Sequence, residues 1–433
     1  MPPWKELFRQ FDRNRSLAGH ADDALYCKRE EQDPASKLEN LMKAAHLNES
    51  TRTAFFTGHR GSGKTSSLLR LSQNLTADYF PIYTDVGYHL DTTRTHVLDL
   101  LWLLGLTLYS AAQQEKLSGI DRGLVDALEK SLYSITKSEV SKSAQQLGWA
   151  ELIGNIVSVS ASLLGSKLGE QLADKLMKPF AISSGIEEEV ARSREIEPQV
   201  NEVLSQLNLL IAAIQAQAGK PVLLIVDGLD KLPNIEQARA MFLESSALVG
   251  LACSVVYTIP LALYTDPAFR QRESEFGAAV VLPNIKLYER DGADHEPGYQ
   301  FMTRLVDTRL EAIKLERAQV ISDAQLRRMA HASGGVVRDF VGLIQDSLVP
   351  AYGSNQPLPL ADTHIDQAIA DTRRALTSRL TQKFKQELQS IRSTRLVTGS
   401  EESAELLHGM LALAFCNGET WYDAHPLLWD SLT

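Results

Sequence analysis

A chain of 433 residues is too long for one ordinary core and implies roughly two to three domains. Its 44% apolar and 23% charged residues exclude wholesale disorder, and its net charge of -10 excludes a broadly basic nucleic-acid surface. The three cysteines (Cys27, Cys253 and Cys416) stand too far apart for a disulfide framework or a zinc cluster, which points to a reducing cytoplasm.

The N-terminal residues MPPWKE lack the apolar run of a signal peptide. The first fifty residues are polar and read as mostly helical, with a helix over 36–46. Residues 51–57 form an apolar strand that enters a glycine-rich loop, and a helix continues over 66–74. A second strand is expected over 79–86 and a long apolar-periodic helix over 92–113. Residues 115–185 read as an insertion, first charged and then small-apolar. Within it, 152–168 comes nearest to membrane character, yet its uncharged run is shorter than the roughly 18 residues of a membrane span. Small residues at four-residue spacing (Gly154, Ser158, Ser162, Ser166) suit a packed helix, so membrane contact is not expected.

Helical periodicity returns over 187–217, closed by Gly219-Lys220-Pro221. Three runs with the composition of buried strands follow, at 222–226, 254–259 and 278–282. Strands alternating with helices, without hairpin signals, give an α/β fold on a parallel sheet. The polar loop 289–297 marks a domain boundary, with helices beyond it at 299–316, 322–332 and 336–352. A second break, 353–357, precedes a helix over 363–380, and Asn417-Gly418-Glu419 joins 411–416 to 420–424 as a hairpin.

The loop Gly58-His59-Arg60-Gly61-Ser62-Gly63-Lys64-Thr65 matches G-x-x-x-x-G-K-[ST] in full, between a strand and a helix that opens with Ser66. Glycines let backbone N–H groups turn onto phosphates, Lys64 reaches the β/γ oxygens, and the Thr65 hydroxyl serves Mg²⁺. The ligand expected is ATP with Mg²⁺, or alternatively GTP with Mg²⁺. His59 and Arg60 hold the variable positions of the loop and read equally well as solvent-facing. The apolar run 222–226 ends in Asp227, the acid that completes the Mg²⁺ shell opposite the loop. Many ATPases place a catalytic Glu immediately after that acid; here the position is Gly228. Asp230 is the nearest carboxylate in sequence, readable either as the orienter of the attacking water or as a turn residue.

In this order the segments resemble the AAA+ and STAND-type P-loop ATPases, including the origin-recognition-like clade. Leu25-Tyr26-Cys27-Lys28-Arg29-Glu30-Glu31 is similar to the box that precedes the P-loop and touches adenine, which implies contacts from Tyr26 and Arg29. The run IVDGLDKL, with Asp227 and Asp230, is similar to the acidic strand end of STAND and NACHT-like proteins. Ala332 to Asp339 resembles the sensor 2 segment, which implies that Arg338 reaches the γ-phosphate. The same resemblance puts Thr258 at the sensor 1 position, where Asn or Arg is commoner, and Arg270 and Arg272 where an arginine finger serves a neighbouring subunit. It implies an N-terminal helical segment over 1–50, a P-loop domain over 51–288, a helical lid over 298–352 and a winged-helix-like domain over 360–433.

Three functions are compatible with these residues. The first is an ATP-driven molecular switch, read out by homo-oligomerisation or a protein effector, of the sort used in bacterial signalling and anti-phage defence. The second is a DNA-associated ATPase, an initiator or loader, using the C-terminal domain and the cationic residues Arg373, Arg374, Arg379, Lys383, Lys385, Arg392 and Arg395. The third, a membrane-associated NTPase of the KAP type, rests on 152–168 alone.

Overall fold

The computed structural model describes residues 3–15, 17, 24–29, 33–90, 92–93, 95–117, 120, 123 and 189–432. Most of the expected insertion, with its small-residue spacing, lies outside the described residues. The parallel sheet has the order β2-β3-β4-β1-β5, from β1 (Thr53–Thr57), β2 (Phe80–Asp85), β3 (Val222–Asp227), β4 (Ser254–Ile259) and β5 (Ala278–Val281). The expected α/β class is what the chain adopts. Strands β3 and β4 are buried at every position, as β-branched runs covered on both faces must be.

One face of the sheet is covered by α4 (Val97–Gln114) and α5 (Glu189–Ala218). Leu100, Leu104 and Leu108 recur every four residues on α4 and meet Val203, Leu207, Leu210 and Ile214 of α5. The other face is covered by α2 (Pro34–Leu47) and α3 (Lys64–Asn74), through Leu38, Met42, Leu68, Leu71 and Leu75. The Tyr79 hydroxyl donates to the Met42 carbonyl at 2.7 Å and ties α2 to the start of β2.

Beyond β5 the chain is helical until its last elements. The middle helices are α8 (Glu296–Glu311), α9 (Asp323–Ala332) and α10 (Val337–Gly353), preceded on the sheet side by α6 (Ile235–Phe242) and α7 (Pro267–Phe276). Glu296 and Pro297, expected in the connecting loop, form the first turn of α8, because proline is at home there. Helices α11 (Asp362–Thr377), α12 (Gln382–Thr394) and α13 (Glu401–His408) follow, then the hairpin β6 (Ala412–Asn417) and β7 (Glu419–Ala424) turning at Gly418, whose φ of 78° is free for glycine.

One apolar cluster runs through Met302, Phe340 and Ile344 of the middle helices, Leu388 and Leu406 of the C-terminal helices, and Leu413, Phe415 and Trp421 of the hairpin. It also takes in Leu7 of α1 (Trp4–Gln10) and Phe11. The middle and C-terminal helices therefore share a core. The hairpin is folded inward, with Trp421 fully buried. Helix α13 packs against the turn Leu261–Tyr264 that leaves β4. Among the described residues no helix is long and apolar enough to cross a membrane.

Candidate functional site: a phosphate loop between two acids and a hairpin

Buried β1 delivers the chain to Gly58, where the loop begins. Gly58, Gly61 and Gly63 all have positive φ (151°, 83° and 104°), which bends the backbone in a way side-chain-bearing residues resist. Gly63 caps α3 without any side-chain bond, so the first N–H groups of that helix have no capping side chain, as an anion site requires. Ser66 stands half-buried in that first turn. Lys64 is buried at the foot of the loop. Its ammonium donates to the carbonyls of Gly58 (2.8 Å) and His59 (2.9 Å) and pairs with Asp230 at 2.8 Å.

The acidic side comes from the adjacent strand ends. The Thr65 hydroxyl donates to Asp227 Oδ2 at 2.6 Å, and Tyr83 from β2 donates to the same oxygen at 2.9 Å. Thr65 and Asp227 thus offer two hard oxygens side by side, the donor set Mg²⁺ takes in company with phosphate. Burial raises the Asp227 pKa, with the charges of Asp85 and Asp230 adding to it. Burial acts on Asp230 in the same sense, but Lys64 outweighs it and holds that carboxyl below its ordinary value. Asp230, readable in sequence as the orienter of the attacking water or as a turn residue, lies in the turn Leu229–Lys231 and is the counter-ion of the loop lysine.

A third carboxylate, Asp85, was not foreseen. It ends β2 in register with Asp227, accepts from Gly87 N at 2.9 Å and pairs with Lys231 at 3.0 Å. Its sequence signal was an acid closing an apolar strand, the same signal that marks Asp227.

The remaining candidates divide. Arg29 clamps the loop from outside, donating to the carbonyls of Ser62 and Pro283, each at 2.6 Å. Tyr26 stacks beneath the Arg70 guanidinium, 4.4 Å from the ring centroid. The backbone N–H of Arg338, at the start of α10, donates to Gly61 O at 3.1 Å, and its side chain is exposed. Thr258 is fully buried. Its hydroxyl accepts from Leu229 N at 3.1 Å and faces the Val226 carbonyl at 3.5 Å, so it braces the turn after Asp227. Arg270 is exposed over the Tyr264 ring and paired with Glu273, while Arg272 donates to the Leu243 carbonyl.

His59 and Arg60 do not face solvent in the way free loop positions would. Arg60 is half-buried and donates to Lys231 O at 2.9 Å. His59 is buried against the C-terminal elements: its Nε2 accepts from Ala414 N in β6 at 3.0 Å, and the ring also bonds the Leu407 backbone. The proton therefore sits on Nδ1 and the ring is neutral. Burial, with Lys64 and His425 nearby, pushes its pKa down to about 3. Asn284 N donates to the carbonyl of the same Ala414 at 3.0 Å, so both polar groups of one hairpin residue are held at the loop. Among the described residues no cluster of His, Cys, Asp and Glu forms a metal cage.

No family model matches the chain, and no curated protein matches it. The solved structures similar to it at low level include two bound to DNA. The Drosophila ORC bound to DNA has a TM-score of 0.40 and 11% identity over 97% of this chain and 89% of that one. The Aeropyrum pernix ORC1 protein in complex with DNA has a TM-score of 0.40 and 14% identity over 95% of each chain. Likenesses this distant carry no weight for the site.

Proposed function

We propose that this protein binds ATP with Mg²⁺ and hydrolyses it as a nucleotide-dependent switch of the AAA+/STAND kind. The observation that carries the reading is the 2.6 Å contact between Thr65 and Asp227, with Lys64 buried beside it under a loop of three left-turned glycines. Lys64 reaches the β/γ oxygens when it leaves its carbonyls, and Thr65 and Asp227 hold the metal, which neutralises phosphate charge. Arg29 and Tyr26 shape the base side of the loop, and Arg338 stands at the γ-phosphate side. Arg270 serves a neighbouring copy if the protein assembles, with Arg272 bracing its helix. Homo-oligomerisation or a protein effector reads the state, in signalling or anti-phage defence.

The docking of β6 on the P-loop favours a switch, because the two share His59 and Ala414 directly. The DNA-associated reading is less favoured. Of its cationic residues, Arg373 pairs with Asp430, Arg374 with Asp371, Lys383 with Glu402, and Arg392 and Arg395 with Asp423. The test is ATP turnover and mass in solution, with and without a DNA duplex at low salt. Turnover indifferent to DNA, abolished by Asp227→Asn while nucleotide binding persists, supports the switch. Turnover that rises with DNA and falls steeply with salt promotes the loader, and full turnover in Asp227→Asn removes the acidic strand end from the site.

A further inference from the structure

In the reading above, the position after Asp227 supplies no carboxylate to orient the attacking water. Gly228 has no side chain, and Asp230, on the turn beyond it, commits its Oδ2 to Lys64 at 2.8 Å and keeps Oδ1 without a partner. The space a side chain at position 228 would enter is, however, filled. A Cβ built on Gly228 would lie 2.3 Å from Asp85 Oδ1, and the residue's φ of 90° already disfavours a side chain. Asp85 comes from β2, whose last residue stands beside Asp227 in the parallel ladder. Its Oδ1 accepts from Gly87 N at 2.9 Å, and Lys231 pairs with its Oδ2 at 3.0 Å.

We propose that Asp85 is the catalytic carboxylate of this ATPase, supplied from the neighbouring strand to the position that the residue after Asp227 occupies elsewhere. Glycine at 228 is then the complement of Asp85: a larger residue there would displace the carboxylate. In the reaction the water oxygen bonds to the γ-phosphorus while the bond to the β,γ-bridging oxygen breaks. That electron pair leaves with ADP. The proton lost by the water passes to Asp85 and on to solvent, giving ADP and inorganic phosphate. The proposal rests on the ATPase reading.

The test is Asp85→Asn, which keeps the shape and the acceptor for Gly87 N but removes the charge. Three quantities are measured: nucleotide affinity, thermal stability, and the identity of the nucleotide recovered from the protein after prolonged incubation with ATP and Mg²⁺. The expected result is affinity within a few-fold of the parent, ATP recovered in place of ADP, and single-turnover cleavage slowed by about 100-fold or more. Lys231→Met, which removes the ion pair but keeps the carboxylate, should still yield ADP. Cleavage by Asp85→Asn at the parent rate overturns the proposal. So does equal failure of Asp85→Asn and Lys231→Met with matching loss of stability, which would make the pair a structural clip. A parent protein that binds no nucleotide, or never cleaves it, instead overturns the ATPase reading itself.

Discussion

Lys64 and Asp230 are each almost fully buried. Lys64→Ala should therefore abolish ATP binding and also destabilise the fold by about 3–5 kcal/mol, since it strands a buried carboxylate. Adding Asp230→Ala should return most of the stability and none of the binding. Urea midpoints and titration with a fluorescent nucleotide separate the two effects, and a double variant as unstable as the single one would mean the pair is not the source. At this scale the sequence was informative wherever function sits in a contiguous motif. The loop from Gly58 to Thr65 and the acid Asp227 were legible because spacing alone defines them. Asp85 and the role of Asp230 were not, because they depend on which strand lies beside β3 and on where a lysine rests. Thr258 was assigned by position in the chain, and its hydroxyl turned out to brace backbone, a choice no spacing reveals.

Among the elements, the hairpin holds the most consequence. Two of its neighbours are imidazoles kept neutral by burial: His59 and His425 each have a pKa pushed down to about 3, from 6.5. Above pH 6.5 both folded and unfolded chains leave them uncharged. As pH falls below that value the unfolded chain takes up protons the folded chain refuses, so stability drops by about 1.4 kcal/mol per pH unit for each ring until about pH 3. His59→Gln retains an acceptor for Ala414 N. The difference in unfolding free energy between parent and variant should change by about 1.4 kcal/mol per unit between pH 6 and pH 4; a difference independent of pH would mean the folded protein protonates the ring as readily as the unfolded chain does. Trp421→Ala, a cavity in the same hairpin, should cost about 3–5 kcal/mol and raise hydrogen exchange at Ala414 N, which mass spectrometry detects. Unchanged exchange there would show that the hairpin docks without its tryptophan. The hairpin itself was legible from Asn417-Gly418, but its inward orientation was not. Alternation marks which strand positions are apolar and leaves open which neighbour they meet.

For the molecule as a whole, the shared core is the governing fact. Leu7, Phe340 and Trp421 belong to one cluster although they come from the start, the middle and the end of the chain. Outside that core, Arg13 belts the N-terminal segment to Gln345 and Asp346 of α10. Tryptophan fluorescence and far-ultraviolet dichroism should therefore report the same unfolding midpoint. ATP with Mg²⁺ at a hundredfold excess over its dissociation constant should raise both by the equivalent of about 2.7 kcal/mol. Separate midpoints would divide the chain into units that melt alone. The α/β class of the sheet was readable from the alternation of runs, whereas the merging of middle and C-terminal helices was hidden, since polar breaks at 289–297 and 353–357 look the same whether or not the segments around them share a core. One feature of that long-range packing also bears on how the protein is made. The partner of His59 lies 355 positions later in the chain. At about 5–20 residues per second, a ribosome leaves the loop without its hairpin for about 20 to 70 s. Through that interval the loop is free of the bonds from His59 to Ala414 and Leu407 that tie it to the far end of the protein.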